Sequence, residues 1–218
     1  MTATKAILFD LDGTLLDTAP DLANALNHVL KKNGQPSLPF ETIRSVVSHG
    51  GKALIKLGFD LPEQSDKAEQ LRQQLLDHYQ TNICVETRLF PGMESVLDTL
   101  ESQHIPWGIV TNKPGWLTNP LTEKLQLTER AGCIISGDTC KHPKPHPASL
   151  LHAAEQIKTR PGQCLYIGDA LRDIEAGKNA GMQTMAARFG YLSETDSIEA
   201  WQADFIINRP EDILEYLM

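Results

Sequence analysis

The chain has 218 residues, 41% hydrophobic and 22% charged, ordinary proportions that leave room for one core with an insertion or two small domains. Its formal net charge of −8 argues against nucleic acid or an anionic membrane as the main partner. No apolar run approaches the ~18 residues of a membrane span.

The first predicted element is a buried strand over residues 5–10. Ile7-Leu8-Phe9 runs straight into Asp10-Leu11-Asp12-Gly13-Thr14. In an extended chain alternate side chains share a face, so Asp10 and Asp12 can reach one ligand. Gly13 permits the sharp turn that would present them. Two carboxylates beyond a buried strand are costly unless a cation or a reaction uses them.

From residue 16 to 85 the pattern predicts helices only. Thr18 and Asp21 make a capping-box-like start, followed by a stripe of Leu22, Leu26, Val29 and Leu30. A second helix is predicted from Glu41 towards Leu57, and a third across Ala68, Leu71, Leu75 and Tyr79. Pro36, Pro39 and Pro62 punctuate the gaps.

Beyond residue 86 strands and helices alternate. Predicted strands cover 107–110, 133–135, 164–167, 184–187 and 204–207. Helical stripes follow Pro91 (Met93, Val96, Leu97, Leu100) and Pro147 (Leu150, Leu151, Ala154, Ile157). Short apolar strands between helices predict an α/β fold with a doubly wound parallel sheet covered on both faces. A helical block inserted after the first strand sits over its carboxyl end, where open α/β sheets bind ligands.

Three more polar clusters are predicted at that edge. Thr111-Asn112-Lys113 follows strand 107–110, Lys141-His142-Pro143-Lys144-Pro145-His146-Pro147 precedes a helix, and Gly168-Asp169-Ala170-Leu171-Arg172-Asp173 follows strand 164–167. Each has an ordinary reading: Thr111 as a helix cap, Lys144 as a loop charge, Asp169 and Asp173 as caps paired with Arg172. Four clusters on one edge are hard to explain that way. Cys84, Cys133, Cys140 and Cys164 form no Cys-x-x-Cys pair, and the seven histidines show no zinc spacing. Cys133 and Cys164 read as core fillers, and a reduced cytoplasmic setting is expected.

In order, Asp10-x-Asp12-Gly13-Thr14, Thr111-Asn112, Lys144-Pro145-His146-Pro147 and Gly168-Asp169-x-x-x-Asp173 resemble the four motifs of the haloacid dehalogenase superfamily. The match spans essentially the whole chain. It implies a Rossmann-like catalytic core over 1–15 and 86–218, with an inserted α-helical cap over 16–85 that sets the substrate. It further implies that Asp10 attacks phosphorus and that Asp12 acts as general acid and base. Mg²⁺ would be held by Asp10, Asp169 and the backbone carbonyl of Asp12, a set of oxygen donors that suits a hard cation. Thr111, Asn112 and Lys144 would hold the phosphoryl group, and Asp173 would orient Lys144 and metal-bound water.

Asp12 also separates reaction classes, because dehalogenases of the superfamily lack a carboxylate there and have no leaving oxygen to protonate. Phosphonate hydrolases place a Schiff-base lysine in the cap; Lys52 and Lys56 read instead as helix-surface lysines. A sugar phosphomutase and a non-catalytic binding protein are the alternatives to a phosphatase. Val110-Thr111-Asn112-Lys113-Pro114 is more similar to the phosphoglycolate phosphatase branch. The stretches 106–114, 168–175 and 201–204 are similar to the N-acetylmuramic acid 6-phosphate phosphatases, with Ala170 where those relatives often carry aspartate. The implied reaction is Mg²⁺-dependent hydrolysis of a small carboxylated phosphate monoester, phosphoglycolate or N-acetylmuramic acid 6-phosphate, by a monomer or homodimer. In the segment Ser48-His49-Gly50-Gly51-Lys52, Gly51 and Lys52 are expected to contact the non-reacting part of the substrate; a hinge is the other reading.

Overall fold

The computed structural model describes residues 4–62, 65–193 and 195–217. Its strands are β1 (Ala6–Phe9), β2 (Leu16–Asp17), β3 (Arg88–Leu89), β4 (Trp107–Val110), β5 (Cys133–Ile135), β6 (Cys164–Gly168), β7 (Gln183–Ala187) and β8 (Phe205–Ile207). Six of them form one parallel sheet in the order β5-β4-β1-β6-β7-β8. β1 is buried throughout, and its side chains alternate between the two cores. Ile7 and Phe9 join one apolar cluster, Ala6 and Leu8 the other.

The strand order places the active edge. From β1 the chain builds outward through β4 and β5, then returns to β1's other side with β6. The direction of winding therefore reverses between β1 and β6, and such a switch opens a crevice at the strands' carboxyl ends. Asp10 and Asp169 stand on either side of it, directly after β1 and β6.

Helices α1 (Ala19–Lys32), α2 (Phe40–Arg44), α3 (Gly50–Phe59) and α4 (Asp66–Thr81) lie between β2 and β3, and α1 packs against the other three. The helices α5 (Met93–Ser102), α6 (Gly115–Lys124), α7 (Ala148–Gln156) and α8 (Leu171–Asn179) alternate with the strands of the large sheet. Among the described residues no helix is long and apolar enough to cross a membrane.

Three details differ from the sequence pattern. The segment 16–85 is not wholly helical, because β2 pairs with β3 in an antiparallel ribbon. Two-residue strands are too short to show any periodicity. The helix predicted from Glu41 towards Leu57 is broken into α2, a 3₁₀ turn over Val47–His49, and α3. Gly50, the first residue of α3, has φ +78°, outside the helical region, and so separates the direction of the 3₁₀ turn from that of α3.

The capping box at Thr18 does not form. The Thr18 hydroxyl donates to Asp12 at 2.6 Å and accepts no N–H of its own helix. Asp21 turns away and accepts the backbone N–H groups of Val85, Glu86 and Thr87 at 2.9–3.0 Å, together with the Thr87 hydroxyl at 2.7 Å. This buried carboxylate ties the start of the helical block to its end. Asp21→Ala would leave those donors without an acceptor, so urea denaturation should show a loss of about 2–4 kcal/mol. A loss below about 0.5 kcal/mol would contradict that role.

Candidate active site

The chain leaves β1 at Asp10, whose N–H still bonds to Ile167 O at 2.8 Å and so keeps it in register with β6. Gly13 then turns the chain with φ +83°. A Cβ there would lie 2.1 Å from Asp169 Oδ2, so glycine is required both for the backbone angle and for the close approach.

Beneath Asp10 lies the Lys144 ammonium, 3% exposed. It reaches Asp10 Oδ1 and Asp173 Oδ1 at 2.8 Å each, Tyr166 OH at 2.7 Å and Val110 O at 3.0 Å. Its three N–H donors are thus fully occupied by the protein. Burial alone would lower its pKa, but the two carboxylates outweigh that and raise it, so it stays charged. These contacts make it fix Asp10. Asn112 is likewise occupied, donating to Lys144 O at 3.0 Å and accepting Lys144 N–H at 2.9 Å.

Asp10, Asp169 and Asp173 each offer a carboxylate oxygen, and these lie within 4.8 Å of one another. Burial pushes the Asp169 carboxyl up to about 7, aided by the charges of Asp10 and Asp173. Burial likewise lifts Asp10 to about 6, against the pull of Lys144. Asp169 Oδ2 accepts the Ser48 hydroxyl at 2.7 Å and Tyr191 N–H at 2.9 Å, whereas its buried Oδ1 has no hydrogen-bond partner. An orphaned carboxylate oxygen facing two more carboxylates is a donor set that fits a hard divalent cation. Asp173 belongs to this group and is also held by Ala170 N–H at 3.1 Å. Ala170 itself brings no carboxylate.

The Asp12 side chain lies outside that group. Oδ1 accepts Lys113 Nζ at 2.9 Å as well as the Thr18 hydroxyl, and Oδ2 accepts Lys113 Nζ at 3.2 Å. Burial alone would lower the Lys113 pKa, but Asp12 outweighs it and holds the ammonium above the ordinary lysine range. The Tyr79 ring packs 4.6 Å from the same ammonium. Lys113 appeared in the sequence only as part of the Thr111-Asn112-Lys113 cluster, with no role of its own. Its position directly after Thr111-Asn112 was the available signal.

Above these groups opens a cavity of about 410 Å³, with Asp10, Asp12 and Thr111 on one wall and Gly51, Leu54 and Arg72 on the other. Gly51 lines it as expected. Lys52 does not; exposed on α3, it borders a shallow depression with Glu69 and Arg72. Arg172, also on the cavity wall, donates to Ser48 O at 2.7 Å and so ties α8 to the loop before α3. Arg72 did not stand out in sequence, and Arg172 did so only as a partner for Asp169 and Asp173.

The family profile described as haloacid dehalogenase-like hydrolase matches residues 7–187. The chain belongs to this family. Within it the chain is a phosphoric monoester hydrolase, with phosphatases as its curated relatives. It is 38% identical to the N-acetylmuramic acid 6-phosphate phosphatase of Pseudomonas putida, over 96% of this chain and 94% of that protein. It is 39% identical to the phosphoglycolate phosphatase of Xanthomonas campestris, over 99% and 97%. Its fold matches the crystal structure of a predicted phosphoglycolate phosphatase from Haemophilus somnus with a TM-score of 0.87 and 28% identity, covering both chains fully.

The raised carboxyls carry a stability signature. Asp10 and Asp169 bind protons more tightly folded than unfolded, where the ordinary value is 3.8. Their contribution is complete below that value and is lost as pH rises through about 6 and about 7. Metal-free protein should therefore melt at a lower temperature at pH 8 than at pH 5, and Asp169→Asn should flatten that slope. Calorimetry showing equal slopes in both proteins would refute the assignment.

Proposed function

We propose that the chain is a Mg²⁺-dependent phosphatase that hydrolyses N-acetylmuramic acid 6-phosphate through an aspartyl-phosphate on Asp10. The carrying observation is the buried Asp10, Asp169 and Asp173 group with its orphaned Asp169 oxygen. Asp10 and Asp169, with the Asp12 carbonyl, would hold the cation. When bound, Mg²⁺ neutralises the carboxylates and the phosphate oxygens, removing the repulsion between an anionic nucleophile and an anionic ester.

The side chains divide the remaining work. Both protein contacts of Asp10, from Lys144 Nζ at 2.8 Å and Leu11 N–H at 2.7 Å, fall on Oδ1, which fixes the carboxylate's orientation. As an Asp10 oxygen bonds to phosphorus, the ester P–O bond breaks and the leaving oxygen takes from Asp12 a proton that this carboxylate has bound from solvent as the ester entered. Lys113 neutralises Asp12 in the resting site. Phosphate oxygens compete for that ammonium. Asp12 then takes a proton from water, the resulting hydroxide attacks phosphorus, and the P–O bond to Asp10 breaks. Thr111, on the cavity wall, lies within the phosphoryl-binding end.

Cavity size favours the larger ester. A volume of about 410 Å³ falls among clefts of about 300–1,000 Å³ that enclose drug-sized ligands. A two-carbon ester would leave most of it to water. We take residues 16–85 as the cap, because α3, α4 and the loop before them supply one wall, and 1–15 with 86–218 as the core. The chain would act as a monomer or homodimer, and the free cysteines suit a reducing cytoplasm.

Phosphate release from N-acetylmuramic acid 6-phosphate with Mg²⁺ tests the reading. Asp10→Asn should lower kcat by at least about 1,000-fold, and EDTA should abolish turnover until Mg²⁺ is restored. Undiminished turnover by Asp10→Asn sinks the mechanism, and failure to release phosphate from this ester sinks the substrate.

A further inference from the structure

We propose that Arg72 is the specificity residue of the cavity, receiving a carboxylate that lies across the substrate from its phosphate. The inference rests on reading the cavity as a phosphatase site. The helix α4 acts as a ruler along it. Tyr79, against the Lys113 that binds Asp12, marks the reacting end. Arg72 lines the same cavity seven residues earlier, two helical turns or about 10 Å away.

The guanidinium already displays the required geometry. Glu69 accepts from its Nε at 2.8 Å and its Nη2 at 2.5 Å, a bidentate carboxylate contact. Glu69 is exposed and one helical turn away, a kind of pair that contributes little by itself. A ligand carboxylate held inside the cavity therefore displaces it. The other cavity cations are committed, Lys113 to Asp12 and Arg172 to Ser48 O.

Reach then discriminates between the esters. In phosphoglycolate the carboxyl carbon is three bonds of about 1.5 Å from phosphorus, too short to span the cavity. A hexose phosphorylated on its primary hydroxyl, with an acidic ether across the ring, does span it. Arg72 thus selects acidic sugar phosphates over neutral ones.

The test compares kcat/KM for N-acetylmuramic acid 6-phosphate and for N-acetylglucosamine 6-phosphate, which lacks the acidic ether. In Arg72→Ala the preference for the acidic ester should fall about 10–100-fold, chiefly through KM, the scale of a charge-assisted hydrogen-bond pair. Arg72→Lys should restore only part of it, because the fork is lost. Glu69→Gln should lower KM for the acidic ester alone. An unchanged preference in Arg72→Ala, or equal losses on both esters, overturns the proposal. Should the wild-type protein not hydrolyse the acidic ester, the substrate reading fails separately. Arg72 is then read from inhibition of p-nitrophenyl phosphate hydrolysis by free N-acetylmuramic acid, and equal inhibition of wild-type and Arg72→Ala protein overturns it.

Discussion

The Lys144 ammonium is held where the end of β4, the strand β6, the start of α8 and the residue after β1 converge. Val110, Tyr166, Asp173 and Asp10 supply its four contacts. A buried charge is tolerated only when its partners are in place, and removing one partner from such a pair costs about 3–5 kcal/mol. The ammonium therefore demands that these elements meet in one geometry. Asp10 inherits its orientation from that demand. The Asn112 side chain closes the arrangement from behind by gripping the Lys144 backbone, so Thr111-Asn112 and the Lys144 loop form one unit.

The site carries excess negative charge. Asp10, Asp169 and Asp173 are set against Lys144 and the nearby Arg172, and burial raises the proton affinity of the first two. The helical block participates in the same balance. Ser48 donates to Asp169, Arg172 grips Ser48 O, and Arg44 donates to Phe189 O and Gly190 O at 3.1 Å each. Arg44 also lies 5.0 Å over the Tyr191 ring, and Tyr191 N–H binds Asp169. Seating of the helical block and orientation of the Asp169 carboxylate are thus one hydrogen-bond network.

The sheet was legible because each core strand is a short apolar run bounded by a turn or a helix start, and the side-chain parity of β1 leads directly to Asp10. The four polar clusters were legible because each follows or precedes such an element. What sequence concealed are contacts between distant segments. Asp21 reads as a local cap, yet its partners are 64 to 66 residues away. Thr18 reads the same way and serves Asp12. Gly51 was visible as backbone freedom, but whether Lys52 or Arg72 faced the cavity depended on how α3 and α4 cross, which no periodicity within either helix encodes.

The helix α4 connects reaction to recognition. Tyr79 is fully buried, and burial pushes its hydroxyl up to about 12, so the ring stays neutral beside Lys113. A neutral face there favours the ammonium without competing for its proton. The helical block thereby adjusts the environment of Asp12, the proposed acid and base, while the same helix carries Arg72 to the far wall. A shift of α4 that moved the guanidinium would also move the ring away from Lys113. On the proposed function, substrate fit and acid–base competence would therefore be coupled through this helix, and the inserted helices would do more than exclude water.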